Sequence, residues 1–317
     1  MSTLLAAPPA QPQLVAAVPA HEGPVHDPAA GVLYVTTVPR PGGGHGRGPG
    51  TDPVNDVLRI RLDGARAVSA DAVSVVATGL PAANGMTLDA DGTLLVCEQG
   101  GWASGARAAI TRLDPATGRR TVVVDSWQGL PLNSPNDVAV AGDGAIWFTD
   151  PTYGSIQGFR PPTRTGDLVY RHDPATGETA PVADDLDKPN GLAFSPDGRT
   201  LYIADSGANQ EPGSFDPRRP HHVVAYEVLD GRRLGPQRLF AVIPSAYPDG
   251  LTVDPSGRVI AVCSVGVLVH APDGRLLETL PVPGAVTCAL AGCGLLLVTT
   301  DTAVQAVALP TTQLSGE

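Results

Sequence analysis

Six stretches of the chain share one frame, and the residue that opens each frame is the one that could do chemistry. The stretches are Glu22-Gly-Pro-Val-His-Asp-Pro, Asn84-Gly-Met-Thr-Leu-Asp-Ala-Asp-Gly, Asn136-Asp-Val-Ala-Val-Ala-Gly-Asp-Gly, Asn190-Gly-Leu-Ala-Phe-Ser-Pro-Asp-Gly, Asp249-Gly-Leu-Thr-Val-Asp-Pro-Ser-Gly and Val286-Thr-Cys-Ala-Leu-Ala-Gly. All the openers except Val286 carry a side-chain oxygen, and none is Lys, Arg, Cys or His. Oxygen-only ligands suit a hard cation, and the two carboxylates of Glu22 and Asp249 balance a divalent charge. One Ca2+ is the best match, because ligands drawn from separate segments give flexible coordination; Zn2+, Mn2+ and Mg2+ are the other candidates. A competing reading takes Asn-Gly and Asp-Gly as ordinary turn dipeptides. It accounts less well for Glu22, for Asn136 followed by Asp137, and for Asp249 at one common offset.

The frame itself is a short alternating strand, a tight turn, and an apolar strand, which is the hairpin pattern. The first five frames start at 22, 84, 136, 190 and 249. Between them lie second hairpins over Ala109–Asp125, Leu168–Val182, Val223–Ile243 and Val267–Leu280. Two hairpins per step make four strands, the content of one propeller blade at about the expected period. The expected fold is therefore all-β, a six-bladed β-propeller with four antiparallel strands per blade. It forms one domain over 1–317, with residues 1–12 as a flexible tail. Only about three strands follow Val286, so Gln13–Val18 is predicted to supply the fourth and close the ring, removing an exposed edge. The innermost strands of such a fold converge on its axis, so the six openers should form a ring around it. The Gly- and Pro-rich stretches Arg40–Pro53 and Gly207–Pro220 are expected as loops on one face, candidates for a lid.

The 317 residues include 21 Lys+Arg and 32 Asp+Glu, a formal charge of −11 that repels nucleic acid and anionic lipid. Hydrophobic content of 42% supports a real core, and 37 Gly with 32 Pro suit many short strands better than long helices. The first residues lack a basic n-region, and no apolar run approaches the roughly 18–20 residues of a membrane span. The cysteines Cys97, Cys263, Cys288 and Cys293 show neither CxxC nor zinc spacing, which reads as buried reduced thiols in strands. A cytoplasmic protein is the expectation, with no nucleic-acid or membrane partner; oligomeric state is not encoded in any motif.

The motifs Glu22-Gly-Pro-Val, Ser134-Pro-Asn-Asp-Val, Phe148-Thr-Asp-Pro-Thr-Tyr-Gly, Lys188-Pro-Asn-Gly-Leu-Ala-Phe-Ser and Tyr247-Pro-Asp-Gly-Leu, taken in order, resemble the SMP-30/gluconolactonase/LRE-like family. The resemblance implies a six-bladed propeller with one axial divalent ion, usually calcium, and lactone hydrolysis as the commonest activity. It implies metal ligands at Glu22, Asn136, Asn190 and Asp249, a polar position near the substrate at Asn84, and Asp249 as proton acceptor. The chain departs from the pattern at Ser134, where animal sugar-lactone hydrolases have arginine, at His26, where Trp is frequent, and at His21, where small residues are common.

His21 and His26 flank the first opener, and alternation would let at most His21 lean toward the axis, where it could orient a ligand or shuttle a proton. His221 and His222 read as surface, and His45 lies in the Gly-rich loop. Trp102, Trp147 and Tyr153 either wall a pocket or simply pack. No Gly-x-Ser-x-Gly elbow is present, and the run Pro41-Gly-Gly-Gly-His-Gly-Arg-Gly-Pro-Gly lacks the Gly-Lys that a phosphate loop needs. The expected function is a metal-dependent hydrolase of a small-molecule lactone or related ester. The axial ion polarises the carbonyl and activates water, and Asn84, His21 and Tyr153 contact substrate. The alternatives are a phosphotriester hydrolase on the same site, and a non-hydrolytic propeller serving as scaffold or as a strictosidine-synthase-like biosynthetic enzyme.

Overall fold

The computed structural model describes residues 11–41, 52–63, 66–67, 72–211, 213–292 and 294–310. Within them the chain forms six antiparallel blade sheets arranged as the expected six-bladed propeller, and a two-stranded ribbon of Ser126–Trp127 with Leu130–Pro131. Blade 1 contains Val25–Asp27, Val32–Thr36, Pro53–Asp63 and Val73–Pro81, and blade 2 contains Ala83–Leu88, Leu94–Glu98, Ala109–Leu113 and Arg120–Val124. Blade 3 runs through Val138–Val140, Ile146–Asp150, Leu168–His172 and Thr179–Ala183; blade 4 through Pro189–Phe194, Thr200–Asp205, His222–Leu229 and Arg238–Val242. Blade 5 comprises Leu251–Val253, Val259–Cys263, Gly266–His270 and Leu276–Pro281. Blade 6 has Ala285–Leu290, Leu295–Thr300 and Ala303–Ala308, and its outer strand is Gln13–Ala16 from the other end of the chain. The closing strand is two residues shorter than predicted, and the tail at 1–10, His45 and Cys293 lie outside the described residues.

Between neighbouring blades sits one apolar cluster, so the six junctions carry the core. Phe148, Ile146 and Val138 of blade 3 meet Leu95, Cys97 and Ile110 of blade 2, and Leu297 and Val304 of blade 6 meet Leu33 and Val35 of blade 1. Both faces of the second strand of each blade are covered, which is why stretches such as Leu94–Glu98 and Ile146–Asp150 are buried throughout. Trp147 is fully buried, edge-on to Phe194 at the junction of blades 3 and 4, so it packs and walls no pocket. Cys97, Cys263 and Cys288 are buried free thiols in strands, as expected. Among the described residues no helix is long and apolar enough to cross a membrane.

The blades are also tied together at their inner ends. Thr36 Oγ1 donates to the Asn84 carbonyl at 3.2 Å, Thr149 Oγ1 to the Asn190 carbonyl at 2.9 Å, and Thr299 Oγ1 to the His21 carbonyl at 2.6 Å. The other three junctions use backbone donors: Gly85 N to Asn136 O at 2.8 Å, Gly191 N to Asp249 O at 3.1 Å and Gly250 N to Val286 O at 3.2 Å. Five blades thus grip the opening residue of the next by its carbonyl and blade 6 grips His21, the residue before Glu22, a closed belt around the axis. The glycines after Asn84, Asn190 and Asp249 belong to this belt and not to turns. Neither Gly85, Gly191 nor Gly250 has a positive φ, and a Cβ on Gly191 would lie 2.6 Å from the Asp249 carbonyl oxygen. Close approach of neighbouring backbones is what demands glycine there.

Candidate active site on the propeller axis

The belt delivers the opener side chains to one place. Glu22, Asn84, Asn136, Asn190 and Asp249 all line a cavity of about 500 Å³ at one mouth of the channel, together with His21, Tyr153 and Tyr247. Glu22, Asn136 and Asn190 also line a second cavity of about 370 Å³ toward the opposite mouth, so they stand at the waist. Val286, the apolar opener, contributes its carbonyl to the belt and lines neither cavity.

Blade 1 departs from the common register. In blades 3 and 5 the opener's N–H bonds the second strand, Asn136 N to Thr149 O at 2.9 Å and Asp249 N to Val262 O at 2.8 Å. In blade 1 that bond is made by His21, to Thr36 O at 2.9 Å, and Glu22 is one residue further on. Gly23, at φ 55°, absorbs the irregularity. Consecutive residues of a regular strand point to opposite faces; here His21 and Glu22 both reach the cavity. His26 lies toward the other mouth.

Two carboxylates buried close together set the electrostatics. Burial, then the neighbouring carboxylates of Asp249 and Asp137, push the Glu22 carboxyl well above the usual range. Burial raises Asp249 to about 6, opposed by His21 and by a hydrogen bond from Asn190. Asn190 Nδ2 also lies 3.4 Å from Tyr153 Oη, so its amide hydrogens are directed at Tyr153 and Asp249 and its Oδ1 keeps free lone pairs. Buried acids that repel each other, beside amide oxygens with spare lone pairs, form a donor set that fits a hard divalent cation. Among the described residues no three His, Cys, Asp or Glu side chains gather as a metal cluster. An ion at this waist would therefore take amide oxygens alongside its two carboxylates.

A further layer holds the openers in place. Asp150 accepts the backbone N–H groups of Asn133 (2.9 Å) and Ser134 (2.8 Å), just before Asn136. Asp205 does the same for Asp187 (3.1 Å) and Lys188 (2.9 Å), just before Asn190. Sequence reading missed both clamps, although Asp150 and Asp205 end the second strands of successive frames. Ser134 is fully buried. Its Oγ donates to Pro151 O at 2.6 Å and accepts from Gly154 N at 2.9 Å, anchoring the short helix Tyr153–Ile156 that carries Tyr153. Of the two predicted lid stretches, the described residues of 207–220 run as a loop that places Asn209 on the cavity. Arg40–Pro41 pairs with Pro53–Val54, and 42–51 lie outside the described residues. Trp102 is half exposed and does not line the cavity, while His221 bonds the Ile243 carbonyl at 2.8 Å.

The SMP-30/gluconolactonase/LRE-like family model matches residues 21–302. The chain belongs to that family. A gluconolactonase of Zymomonas mobilis is 33% identical over 208 residues, 62% of this chain and 53% of that protein. The chain therefore spans about half the length of this curated family relative. A gluconolactonase structure from Xanthomonas campestris shares 30% identity at a TM-score of 0.68, covering 96% of this chain and 99% of the other. A regucalcin from Agrobacterium tumefaciens, described as calcium-binding, covers 98% of each chain at 19% identity and a TM-score of 0.67, a likeness of fold.

Proposed function

We propose that this family member is a calcium-dependent lactone hydrolase. The observation that carries the reading is the convergence of Glu22, Asn136, Asn190 and Asp249 on the wall of one cavity. These four would hold the ion. A divalent cation bound there supplies Lewis-acid polarisation of the lactone carbonyl.

The chain's own groups supply the rest. Asp249 takes the proton from the attacking water. The water oxygen adds to the carbonyl carbon, the ring C–O bond breaks, and the proton returns to the departing alkoxide, leaving a hydroxy acid. Asn190 orients the Asp249 carboxylate through its amide N–H, and Tyr153 steadies Asn190 from the other side. Asn84, with Oδ1 occupied by Gly85 N at 3.0 Å, presents its amide hydrogens to substrate. His21 and Tyr153 complete the wall on which the substrate ring rests.

A pH-stat screen of lactones, aryl esters and phosphotriesters, with and without calcium, tests this. Lactones should be turned over, the rate should vanish on exhaustive EDTA treatment, and calcium should restore it. Phosphotriester turnover in place of lactone turnover, or full activity after EDTA, would overturn the reading.

A further inference from the structure

One buried serine outside the repeated frame closes a ring of hydrogen bonds at the site. Ser206, fully buried after the second strand of blade 4, lines neither cavity. Its N–H is fixed on the Lys188 carbonyl at 2.9 Å, two residues before Asn190. Its Oγ donates to the Pro248 carbonyl and shares a second hydrogen bond with the Tyr153 hydroxyl. Tyr153 Oη meets Asn190 Nδ2 at 3.4 Å, and Asn190 in turn bonds the Asp249 carboxylate. Pro248 precedes Asp249 in the chain, so the circuit Asp249–Asn190–Tyr153–Ser206–Pro248 returns to the residue where it starts. It joins groups from the helix Tyr153–Ile156, from blade 4 and from the segment leading into blade 5.

The direction of this circuit is decided at Ser206. A hydroxyl has one hydrogen to donate and two lone pairs with which to accept. The Ser206 hydrogen is committed to Pro248, whose carbonyl can only accept, so Ser206 accepts from Tyr153. That commits the Tyr153 hydrogen as well, and toward Asn190 its oxygen can only accept. The Asp249 carboxylate accepts too. Both neighbours therefore take the N–H end of the Asn190 amide, and the Oδ1 end is left for the cation. The two ends of an asparagine amide are close in size, so hydrogen bonds decide which way it faces.

We propose that Ser206 is a positioning residue which, through Tyr153, orients the Asn190 amide with its oxygen toward the cation. The inference rests on the assignment of Asn190 as a metal ligand. Without the Ser206 acceptor, the Tyr153 hydrogen turns toward Asn190. The amide then either sets a donor against a donor or rotates its oxygen away from the ion.

Calorimetric titration of calcium into the full-length wild type, Ser206→Ala, Tyr153→Phe and the double variant tests this. Ser206→Ala should weaken calcium binding about ten-fold, the scale of one mismatched hydrogen bond. Tyr153→Phe removes the hydroxyl and brings no new donor, so affinity should change less than about three-fold. Adding Tyr153→Phe to Ser206→Ala should recover most of the lost affinity, because no hydroxyl is left to misdirect the amide. If Ser206 merely holds Pro248 in place, the double variant stays as weak as Ser206→Ala, and the proposal is overturned. Wild-type affinity in Ser206→Ala would overturn it equally. Ser206→Cys is nearly isosteric and a much weaker acceptor, so it carries the same comparison if the alanine variant does not fold. Urea midpoints of the same proteins in EDTA judge the circuit without the ion. There the double variant should be more stable than Ser206→Ala, since removing both partners of a buried hydrogen bond costs less than stranding one; the reverse order would overturn the circuit. A wild type that binds no calcium would instead refute the metal reading, and the urea series would still decide the circuit.

Discussion

His21 Nδ1 lies 2.7 Å from Asp301 Oδ1, a contact that joins residues 280 positions apart and bridges the first and last blades at the cavity mouth. A second bond crosses the same junction, from Thr299 Oγ1 to the His21 carbonyl at 2.6 Å. The first is a hydrogen-bonded His–Asp contact with its acid side chain 64% exposed; the second involves a threonine that is fully buried.

That difference in burial predicts which bond closes the ring. Exposed pairs contribute about 0–1 kcal/mol, so Asp301→Asn should move the Tm by no more than about 3 degrees. Thr299→Val leaves the His21 carbonyl without its donor and should cost about 1–3 kcal/mol. Differential scanning calorimetry on the two variants checks the order, and a larger loss for Asp301→Asn would contradict it.

Removal of the cation should destabilise the protein. Without it, Glu22 and Asp249 repel each other, and that repulsion, together with that of Asp137, raises Glu22 beyond the effect of burial. Calcium at about 100 times its Kd should add about 2.7 kcal/mol of stability over the EDTA-treated form. Glu22→Gln should shrink the difference. Identical melting curves with EDTA and with millimolar calcium would remove the structural half of the metal assignment.

Holding the ion and using it are separable. Asn190→Ala removes a neutral oxygen, so calcium affinity should weaken while excess calcium recovers much of the rate. Asp249→Asn keeps an oxygen of similar size but loses the proton acceptor. At saturating calcium its kcat should remain lower by about 10²–10⁴-fold. If a calcium-saturated Asp249→Asn turns over at the wild-type rate, Asp249 is a ligand only, and His21 is the next residue to substitute.

Gly191→Ala should disturb the site without touching a site side chain. The added Cβ would stand 2.6 Å from the Asp249 carbonyl oxygen and 2.8 Å from Leu251 N, both backbone atoms that cannot swing aside. Blade 5 must shift, carrying Asp249 with it. Calcium affinity, followed by calorimetry, should fall in a variant whose far-ultraviolet spectrum is unchanged; unaltered affinity would show that the belt does not set the waist.

Stability should fall with rising pH even in saturating calcium. Asp150 is fully buried away from the axis, and burial raises its carboxyl to about 7, against two opposing backbone N–H bonds. The folded state therefore retains a proton that the unfolded chain releases near 4, so stability is greatest below that pH and declines as pH approaches 7. Urea midpoints at pH 5 and pH 8 should show the decline, and Asp150→Asn, which cannot ionise, should flatten it. An unchanged slope in the variant would place the effect elsewhere.

The periodic frame determined the blade count, the strand order within each blade and the identity of the polar openers. A blade is two consecutive hairpins, and turn residues and strand alternation are local features that the order of residues expresses directly. The closing strand was legible for a related reason, since three strands after Val286 leave a sheet one short. What the tertiary structure decided lies between blades. Asn-Gly and Asp-Gly look like turns in the sequence, and only the neighbouring backbone reveals that the glycines permit contact. Alternation set His21 and His26 on opposite faces with His21 the one able to lean inward, and only the irregular register at Gly23 shows how His21 and its neighbour Glu22 both reach the cavity. Asp150 and Asp205 became clamps, and Ser206 a partner of Tyr153 and Pro248, once segments far apart in the chain were brought together. Whether a polar atom has a partner depends on every group around it in space, and the linear order carries no record of that.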